Sequence, residues 1–324
     1  MKDLLVLYEH PEWQKPLFEA LTRRDVSFDA LDLKSAAFDA SAGAHAHVVF
    51  NQASPSAYVR GNRRAVPLAL AYLRMLEVRG SAVVNGARAF ALELSKTAQC
   101  SLIGGLGLRT PRSIAFNDVD ALAARVAEGH GVGWPALIKP EQGGSGARIH
   151  KVSSIDEVRE VIAREPTIWE PDGLLLLQEY IEHDVDKGIV RMEILGGELL
   201  YAMRVLSHGR FNLCPSEVCN PVDPTDAESA CEVPAEAEAP PVEFYPFDEV
   251  PDAAVEGGRR ILAAAGIDVG GVEYVTSSVT GEPVFYDVNA NSNLRPAIAK
   301  LRGFDPFDRV VDYLAARVAE AKRA

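Results

Sequence analysis

Apolar residues in the first 95 positions cluster in short runs of strand length, and segments with helical periodicity lie between them. The strand-like runs cover residues 4–8, 28–33, 48–51 and 82–85. The segments 14–24 and 62–79 repeat apolar residues at helical spacing. Because strands that alternate with helices are typical of parallel sheets, residues 1–95 are predicted to form a small N-terminal α/β domain.

Residues 96–186 form a second region, which contains a glycine loop between two predicted strands. A helix is predicted from Lys96 and another over 119–128. The strand 136–139 leads into the loop, and the strand 148–152 returns from it. Ser154 and Glu157 have the spacing of a capping box, which predicts a helix that begins there, and 174–179 is a further predicted strand.

The third region, residues 187–324, is predicted to contain two strands, an acidic insertion, a helix, a hairpin and a closing helix. The strands cover 190–195 and 199–205, and the helices cover 250–265 and the residues from 306 onward. The insertion, residues 214–248, is rich in proline and acidic residues.

Three side chains with oxygen ligands are predicted to meet on the hairpin of the third region. Asp287 and Asn289 are two residues apart in a strand-like run, so their side chains leave the same face of a sheet. A turn at Thr280-Gly281 places Glu273 opposite Asp287. A single acidic residue on a strand is more often an ordinary solvated side chain than a metal ligand. Three converging oxygen donors instead indicate Mg²⁺, which takes its other ligands from water and nucleotide phosphates.

The net charge of -13 is concentrated in one part of the chain. Residues 214–256 hold twelve Asp or Glu and no Lys or Arg, which leaves 34 acidic and 33 basic residues elsewhere. Nucleic acid is therefore not expected as a partner, because its phosphates require clustered basic residues. No apolar run approaches the ~20 residues of a membrane span, so we expect a cytoplasmic protein without a membrane partner.

Lys139 comes just before the glycine loop, Gly143, Gly144, Ser145 and Gly146. The N–H groups of such a loop can point into one concavity and bind phosphate oxygens, and a lysine adds positive charge. By itself, a run of this kind between two strands is more often an ordinary hairpin loop. Its position between Lys96 and the acidic hairpin favours the interpretation as a phosphate site.

The order of these residues resembles that of the ATP-grasp fold. The pattern also includes Gln178, Glu179, Tyr180 and Ile181, followed by Arg191 and Arg204. The chain looks closest to the branch that contains the ribosomal-protein glutamate ligases, with glutathione synthetase and D-alanine:D-alanine ligase as more distant relatives. The resemblance covers nearly the whole chain. It implies an α/β (α+β) architecture, with two α+β subdomains preceded by a small Rossmann-like domain.

The resemblance implies a nucleotide site with a known arrangement. Lys96, Lys139 and the glycine loop would contact the ATP phosphates. Residues 178–181 would form the hinge that binds adenine, through backbone groups and the Glu179 side chain. Ile189 stands where relatives carry an Asp that binds the ribose, so Asp184 or Asp186 is expected to serve instead, and Asp186 is the predicted residue.

The resemblance also implies the ligands and cations of the reaction centre. Glu273, Asp287 and Asn289 would bind Mg²⁺, with Mn²⁺ as an alternative. Arg191 or Arg204 would stabilise an oxyanion, although both also fit solvent-facing strand residues with local partners.

Two departures from the relatives bear on the substrate. After Asn289 the chain continues with polar residues, of which Asn291 and Arg295 are predicted to bind substrate. Arg295 is suited to clamp a carboxylate, and an exposed arginine at a helix start is the alternative. Where its relatives carry an Arg and glycines, the chain has residues 214–217. The identity of the substrate therefore cannot be inferred from the substrates of the relatives.

The expected function is that of an ATP-dependent carboxylate-amine ligase. It would form an amide through an acylphosphate and release ADP and phosphate, with an amino acid or small peptide as substrate. The expected partners are a small-molecule carboxylate and an amine, and a homodimer remains open. A small-molecule kinase of the same fold and a non-catalytic nucleotide-binding protein are the alternatives.

The acidic insertion suggests a hypothesis about the amine. Its aromatic and apolar residues, Val242, Phe244, Tyr245 and Phe247, are suited to dock on the body of the protein. The insertion would then hold negative charge over the entrance and favour a cationic amine, an effect that salt weakens. A passive, solvated insertion is the alternative.

Overall fold

The computed structural model describes residues 1–43, 45–129, 131–144, 146–209, 211, 242–292 and 294–323, and their strands form three sheets. The first sheet is parallel, with the strand order β2-β1-β3-β4. Its elements are β1 Lys2–Tyr8, α1 Pro11–Arg23, β2 Phe28–Asp32, β3 Ala46–Gln52, α2 Ala65–Val78, β4 Ala82–Val84 and α3 Ala87–Glu93. The predicted strands and the parallel sheet are confirmed, and α3 is an element that the sequence pattern does not indicate.

The second sheet is antiparallel, with the order β5-β8-β6-β7. Its region comprises α4 Lys96–Gly105, β5 Ser113–Phe116, α5 Val119–Ala127, β6 Ala136–Pro140, β7 His150–Val152, α6 Ile155–Arg164 and β8 Leu175–Glu179. The predicted cap is present, because the Ser154 hydroxyl accepts a hydrogen bond from the Glu157 N–H at 3.2 Å. The glycine loop joins β6 to β7.

The third sheet carries the predicted metal hairpin, and its order is β11-β10-β9-β12-β13. This region comprises β9 Ile189–Leu195, β10 Glu198–Leu206, β11 Glu243–Pro246, α7 Asp252–Ala265, β12 Val269–Thr276, β13 Pro283–Asn289, α8 Pro296–Lys300 and α9 Pro306–Ala321. All its strand pairs are antiparallel. Strand β13 lies at the edge, so one side of its backbone has no strand partner among the described residues.

The end of the predicted insertion is part of this sheet. Strand β11 pairs with β10, Phe244 packs against a core that contains Met203, and Phe247 packs against the core on the other face. Val242, Phe244 and Phe247 thus dock on the body as predicted, whereas Tyr245 is 46% exposed and does not. Residues 212–241 lie outside the described part of the chain, so the steering role of the insertion stays a prediction.

The C-terminal helix α9 returns to the first sheet. It packs against α1 and β3, and one apolar core joins Leu4 and Val48 of that sheet to Phe307 and Leu314 of α9. The same core includes Tyr201 of β10, so the first sheet is packed close to one face of the third. Among the described residues, the helices are all too short or too polar to span a bilayer.

Candidate active site

One face of the third sheet gathers the predicted metal ligands and a cation. Arg191 of β9 pairs with Glu273 of β12, which in turn pairs with Asp287 of β13. Directly paired residues share a face, so the three side chains form a row across the sheet. The predicted register of Glu273 opposite Asp287 is confirmed.

Glu273 is held by two donors in this row. Its Oε1 accepts a hydrogen bond from Arg191 Nη1 at 2.9 Å, and its Oε2 accepts one from the Tyr286 hydroxyl at 2.9 Å. Burial, reinforced by the charge of Asp287, raises the pKa of Glu273. The pKa of Asp287 is instead lowered: burial opposes the carboxylate, but the nearby positive charges, led by Lys96, together outweigh it.

The donor set fits a hard divalent cation. Lys96 Nζ donates to Oδ1 of Asp287, and Asn289 Nδ2 donates to its Oδ2 at 3.2 Å, so Asn289 lies beside the acid. In the part of the chain that the structure describes, no group of three or more His, Cys, Asp or Glu side chains could hold a metal. The predicted trio offers two carboxylates and an amide, which suits Mg²⁺ with additional ligands from phosphates and water.

A cavity extends from this row to the hinge of the second sheet. At one end it is lined by Lys96, Lys139, Glu273 and Asp287. The remaining predicted residues on its wall are Gly143, Gly144, Gly146, Gln178, Glu179, Tyr180 and Ile181. The structure thus brings the two halves of the predicted nucleotide site together around one space, with Ser145 outside the described residues.

The two lysines of the cavity differ electrostatically. Burial, together with the nearby charge of Lys96, lowers the pKa of Lys139 from 10.5 to about 8. Burial also disfavours the charged form of Lys96, but Asp287 more than compensates and raises the pKa of Lys96. An arriving anion would therefore meet one firmly charged lysine and one that it would help to protonate.

The glycine loop rests on the first domain. A Cβ atom at Gly144 would lie 2.4 Å from Ser56 Cβ, so this close approach requires glycine. Gln142 Nε2 donates to the Pro55 carbonyl at 3.0 Å and reinforces the contact. Gly146 has a φ of +73°, which glycine adopts without strain.

The hinge residues line the cavity, but the side chains of Gln178 and Glu179 already have partners. Gln178 Nε2 donates to Ser113 Oγ at 2.9 Å. Glu179 Oε2 accepts from the Arg112 N–H at 3.0 Å, so this carboxylate holds β5 beside β8. Adenine recognition would therefore depend chiefly on backbone groups of the hinge.

The structure does not support Asp186 as the ribose ligand. Asp186 is exposed, and its N–H donates to Asp184 Oδ1 in a local turn at 3.1 Å. Asp184 is in turn 3.7 Å from Lys187. His183 and Val185 line the cavity at this point, and neither Asp184 nor Asp186 does.

Arg204 also lies outside the site, which corrects its predicted catalytic role. It pairs with Val190, on the face of the sheet that α7 covers, and its guanidinium stacks on Phe247 at 4.4 Å. Arg191 is on the opposite face. The cause is a bulge between Leu199 and Tyr201, which shifts the β9/β10 register by one residue and reverses the direction of every later side chain of β10.

Arg191 is fixed by three groups. Its Nε donates to Glu193 at 2.6 Å, and its Nη2 donates to Ser292 Oγ at 3.2 Å, in addition to the bond to Glu273. A Cβ atom at Gly271 would lie 2.8 Å from Nη2, so the glycine leaves room for the guanidinium.

The two predicted substrate residues lie next to this cation. The Arg295 guanidinium stacks on Phe244 at 3.3 Å and has no carboxylate partner among the described residues. Burial, together with Arg191, lowers its pKa to about 10. Asn291 donates from Nδ2 to the Gln52 carbonyl at 3.0 Å, and its buried Oδ1 has no partner within the described ranges.

Sequence reasoning missed several buried polar residues around the site. Their side chains hold the predicted residues or their backbone, and they are Glu93, Gln99, Glu141, Glu193 and Tyr286. Tyr286 could have been identified as a site residue from the sequence, because it directly precedes the predicted metal ligand Asp287. The others look like ordinary polar residues in the sequence, because only tertiary packing buries them.

Solved structures of ATP-grasp ligases resemble this chain over nearly its full length. The ATP-grasp ligase PsnB in complex with a minimal precursor has a TM-score of 0.65 at 19% identity, with 98% of this chain and 100% of that chain covered. The D-cycloserine synthetase DcsG has a TM-score of 0.68 at 14% identity, with coverage of 97% and 99%. VanG D-Ala:D-Ser ligase from Enterococcus faecalis has a TM-score of 0.66 at 17% identity, with coverage of 98% and 100%.

No protein-family model and no curated protein sequence matches this chain. At these identities the structural likeness establishes the fold. The chain has the ATP-grasp fold, as the residue pattern predicts.

Proposed function

We propose that this protein is an ATP- and Mg²⁺-dependent carboxylate-amine ligase that releases ADP and phosphate. The observation that carries the proposal is the single cavity that joins Lys96 and Lys139 to Glu273 and Asp287. Two cations beside two carboxylates are suited to hold nucleotide phosphates together with a metal ion. The ATP-grasp ligase PsnB, which shares this fold, has been solved in complex with Mg and ADP, which supports the proposal.

The chain supplies positive charge where phosphoryl transfer needs it. Lys96 and Lys139 would bind the phosphates, and the glycine loop would close over them. Glu273, Asp287 and Asn289 would hold the metal, which supplies further charge neutralisation when bound. A substrate carboxylate that receives the γ-phosphoryl group becomes an acylphosphate, whose phosphate can leave when an amine attacks.

Arg191 is suited to stabilise the oxygen that gains negative charge during that attack. Its guanidinium is held by Glu193, Glu273 and Ser292, so it is oriented before substrate arrives. A preorganised cation costs little reorganisation at the moment of reaction. We assign the catalytic arginine to Arg191 alone, because Arg204 faces the other side of the sheet.

Arg295 and Asn291 are the proposed substrate contacts. A largely buried guanidinium without a carboxylate partner within the described chain is suited to take one from a ligand, since charged hydrogen bonds are among the strongest in proteins. Asn291 Oδ1 offers a buried acceptor nearby in the chain. These groups favour a substrate with both a carboxylate and a hydrogen-bond donor, such as an amino acid or a peptide.

The test is a screen of amino acids, dipeptides and longer peptides for substrate-dependent release of ADP and phosphate. Peptides belong in the panel because PsnB has been solved with a precursor peptide. Hydroxylamine should trap the acylphosphate as a hydroxamate and so identify the activated acid. A stable phosphorylated product without amide would show a kinase instead, and nucleotide binding without turnover on any substrate would contradict the ligase.

A further inference from the structure

The metal hairpin places its ligands on an edge strand. Asp287 and Asn289 lie on β13, whose only strand partner among the described residues is β12. Val288, between the two ligands, has its side chain in the core behind the sheet. An edge strand exposes unpaired N–H and C=O groups, and buried groups of this kind need partners.

A side-chain amide supplies these partners. The Val288 N–H donates to Gln99 Oε1 at 3.1 Å, and Gln99 Nε2 donates back to the Val288 carbonyl at 3.1 Å. The two bonds form a closed pair like that between neighbouring strands. Gln99 thus pairs with β13 at the one residue that separates the two predicted metal ligands.

Gln99 is itself firmly held. It is fully buried, and its Nε2 also lies 3.2 Å from the carbonyl oxygens of Leu92 and Glu93 at the end of α3. One amide hydrogen therefore bonds Val288, and the other is shared between two helix-end carbonyls. The side chain connects α3, α4 and β13, and each hydrogen of its amide has an acceptor.

The same helix face carries Lys96. Lys96 and Gln99 are three residues apart on α4, a spacing that places side chains side by side. Lys96 bonds the Asp287 side chain, and Gln99 bonds the next backbone unit. The start of α4 is in turn held by Glu141, which accepts from the Thr97 N–H at 3.0 Å. Helix α4 therefore positions strand β13, which carries the predicted metal ligands, relative to Lys96 and Lys139.

We propose that Gln99 is a positioning residue for the metal site. It acts through Val288 to fix the spacing and direction of Asp287 and Asn289, and it makes no contact with metal or nucleotide itself. The inference rests on the proposed function. Its physical basis is that metal ligands must be held within about 0.5 Å of the productive geometry by their supporting groups.

The test replaces Gln99 with methionine, which keeps the length of the side chain and removes both hydrogen bonds to Val288, along with those to the end of α3. The control is Ile103→Ala, a buried apolar residue on the same helix with no polar contact to β13. Thermal melting measures the stability of both variants. Mn²⁺·ADP binding, followed by electron paramagnetic resonance, measures the metal site without turnover, and hydrogen exchange of the segment 283–289 reports the Val288 bond.

We expect Gln99→Met to weaken Mn²⁺·ADP binding by about 10- to 100-fold, the usual effect of removing a group that supports metal ligands. Exchange of the β13 segment should accelerate. Ile103→Ala should melt earlier as well, yet bind Mn²⁺·ADP as the wild type does. A folded Gln99→Met variant with wild-type Mn²⁺·ADP affinity would overturn the proposal.

A second variant covers the case in which Gln99→Met does not fold. Gln99→Asn keeps an amide in the buried site but is one methylene shorter, so it cannot reach both Val288 groups and should weaken Mn²⁺·ADP binding in the same direction. Unchanged affinity in this variant would equally overturn the role of Gln99. Failure of the wild type to bind Mn²⁺·ADP would instead refute the proposed metal site.

Discussion

Replacement of Glu93 by glutamine should remove a pH dependence of stability that the structure assigns to this one buried acid. Glu93 is 3% exposed, and its Oε1 accepts from the Asn291 N–H at 3.0 Å. Its Oε2 has no partner among the described residues. Burial is the main reason that the pKa of Glu93 rises from 4.5 to about 8, although Lys96 opposes the rise.

The direction in which the free energy of unfolding changes with pH follows from how many protons the folded and unfolded states bind. In the unfolded chain Glu93 loses its proton near its ordinary pKa of 4.5, whereas the folded protein keeps it until about pH 8. Between these values the folded state binds more protons, so its free energy of unfolding falls as pH rises. From pH 5.5 to 8 this loss amounts to about 3 kcal/mol at 1.36 kcal/mol per pH unit. Glutamine is neutral throughout, so the variant lacks this loss.

The assay compares melting temperatures of the wild type and Glu93→Gln at pH 5.5 and pH 8.5. From pH 5.5 to pH 8.5, the melting temperature of Glu93→Gln should rise by about 6 °C relative to that of the wild type, given roughly 2 °C per kcal/mol for a large chain. Glu77→Gln is the control, because Glu77 also accepts a backbone N–H, that of Ala87, but is exposed. Parallel pH profiles for wild type and Glu93→Gln would refute the reasoning.

Three further predictions test the site directly. Asp287→Ala and Asn289→Ala should each lose about 100-fold or more in ADP release, since each removes a proposed metal ligand, and near-normal turnover in both would remove the metal assignment. Nucleotide binding at pH 8.5 should take up more protons in the wild type than in Lys139→Met, because the phosphates raise the pKa of Lys139 above about 8. Calorimetry in buffers of different ionisation enthalpy measures the number of protons taken up. Equal uptake by the two proteins would contradict the prediction. Arg204→Met should melt at a lower temperature but keep near wild-type turnover, because Arg204 lies on the face of the sheet away from Arg191. A loss of activity like that of Asp287→Ala would show that Arg204 takes part in the reaction.

The hairpin shows what local pattern can predict. The two strands of the hairpin and the turn between them follow from the sequence, and Gly281 has a φ of +74°, as a tight turn requires. Thr276 pairs with Pro283, so a ladder unbroken from the turn would place Glu273 opposite Tyr286. A bulge between Glu273 and Tyr274 shifts the register by one residue and brings Asp287 opposite Glu273 instead. The buried strands can be recognised from the sequence as well, because a strand buried on both faces requires a continuous apolar run.

Arg204 shows where local pattern fails. A tight turn at Gly196 and Gly197 pairs Glu198 with Leu195, and an unbroken ladder from there would place Arg204 opposite Ile189, on the face of Arg191. The bulge after Leu199 moves it opposite Val190 instead. One extra residue in a ladder costs little and leaves no clear mark in sequence, yet it moves every later side chain to the other face.

The polar groups that support the site were hidden for a different reason. Gln99 lies in a helix where its neighbours are of mixed polarity, and nothing local distinguishes a buried glutamine from a solvated one. Its role arises only when α4 packs against the open side of β13, because the unpaired Val288 groups then require a donor and an acceptor together. A side-chain amide offers both side by side at any pH, whereas a carboxyl group does so only when it is protonated. The need for Gln99 thus follows from the edge position of the metal strand, which the order of strands in the sheet determines and the local sequence does not.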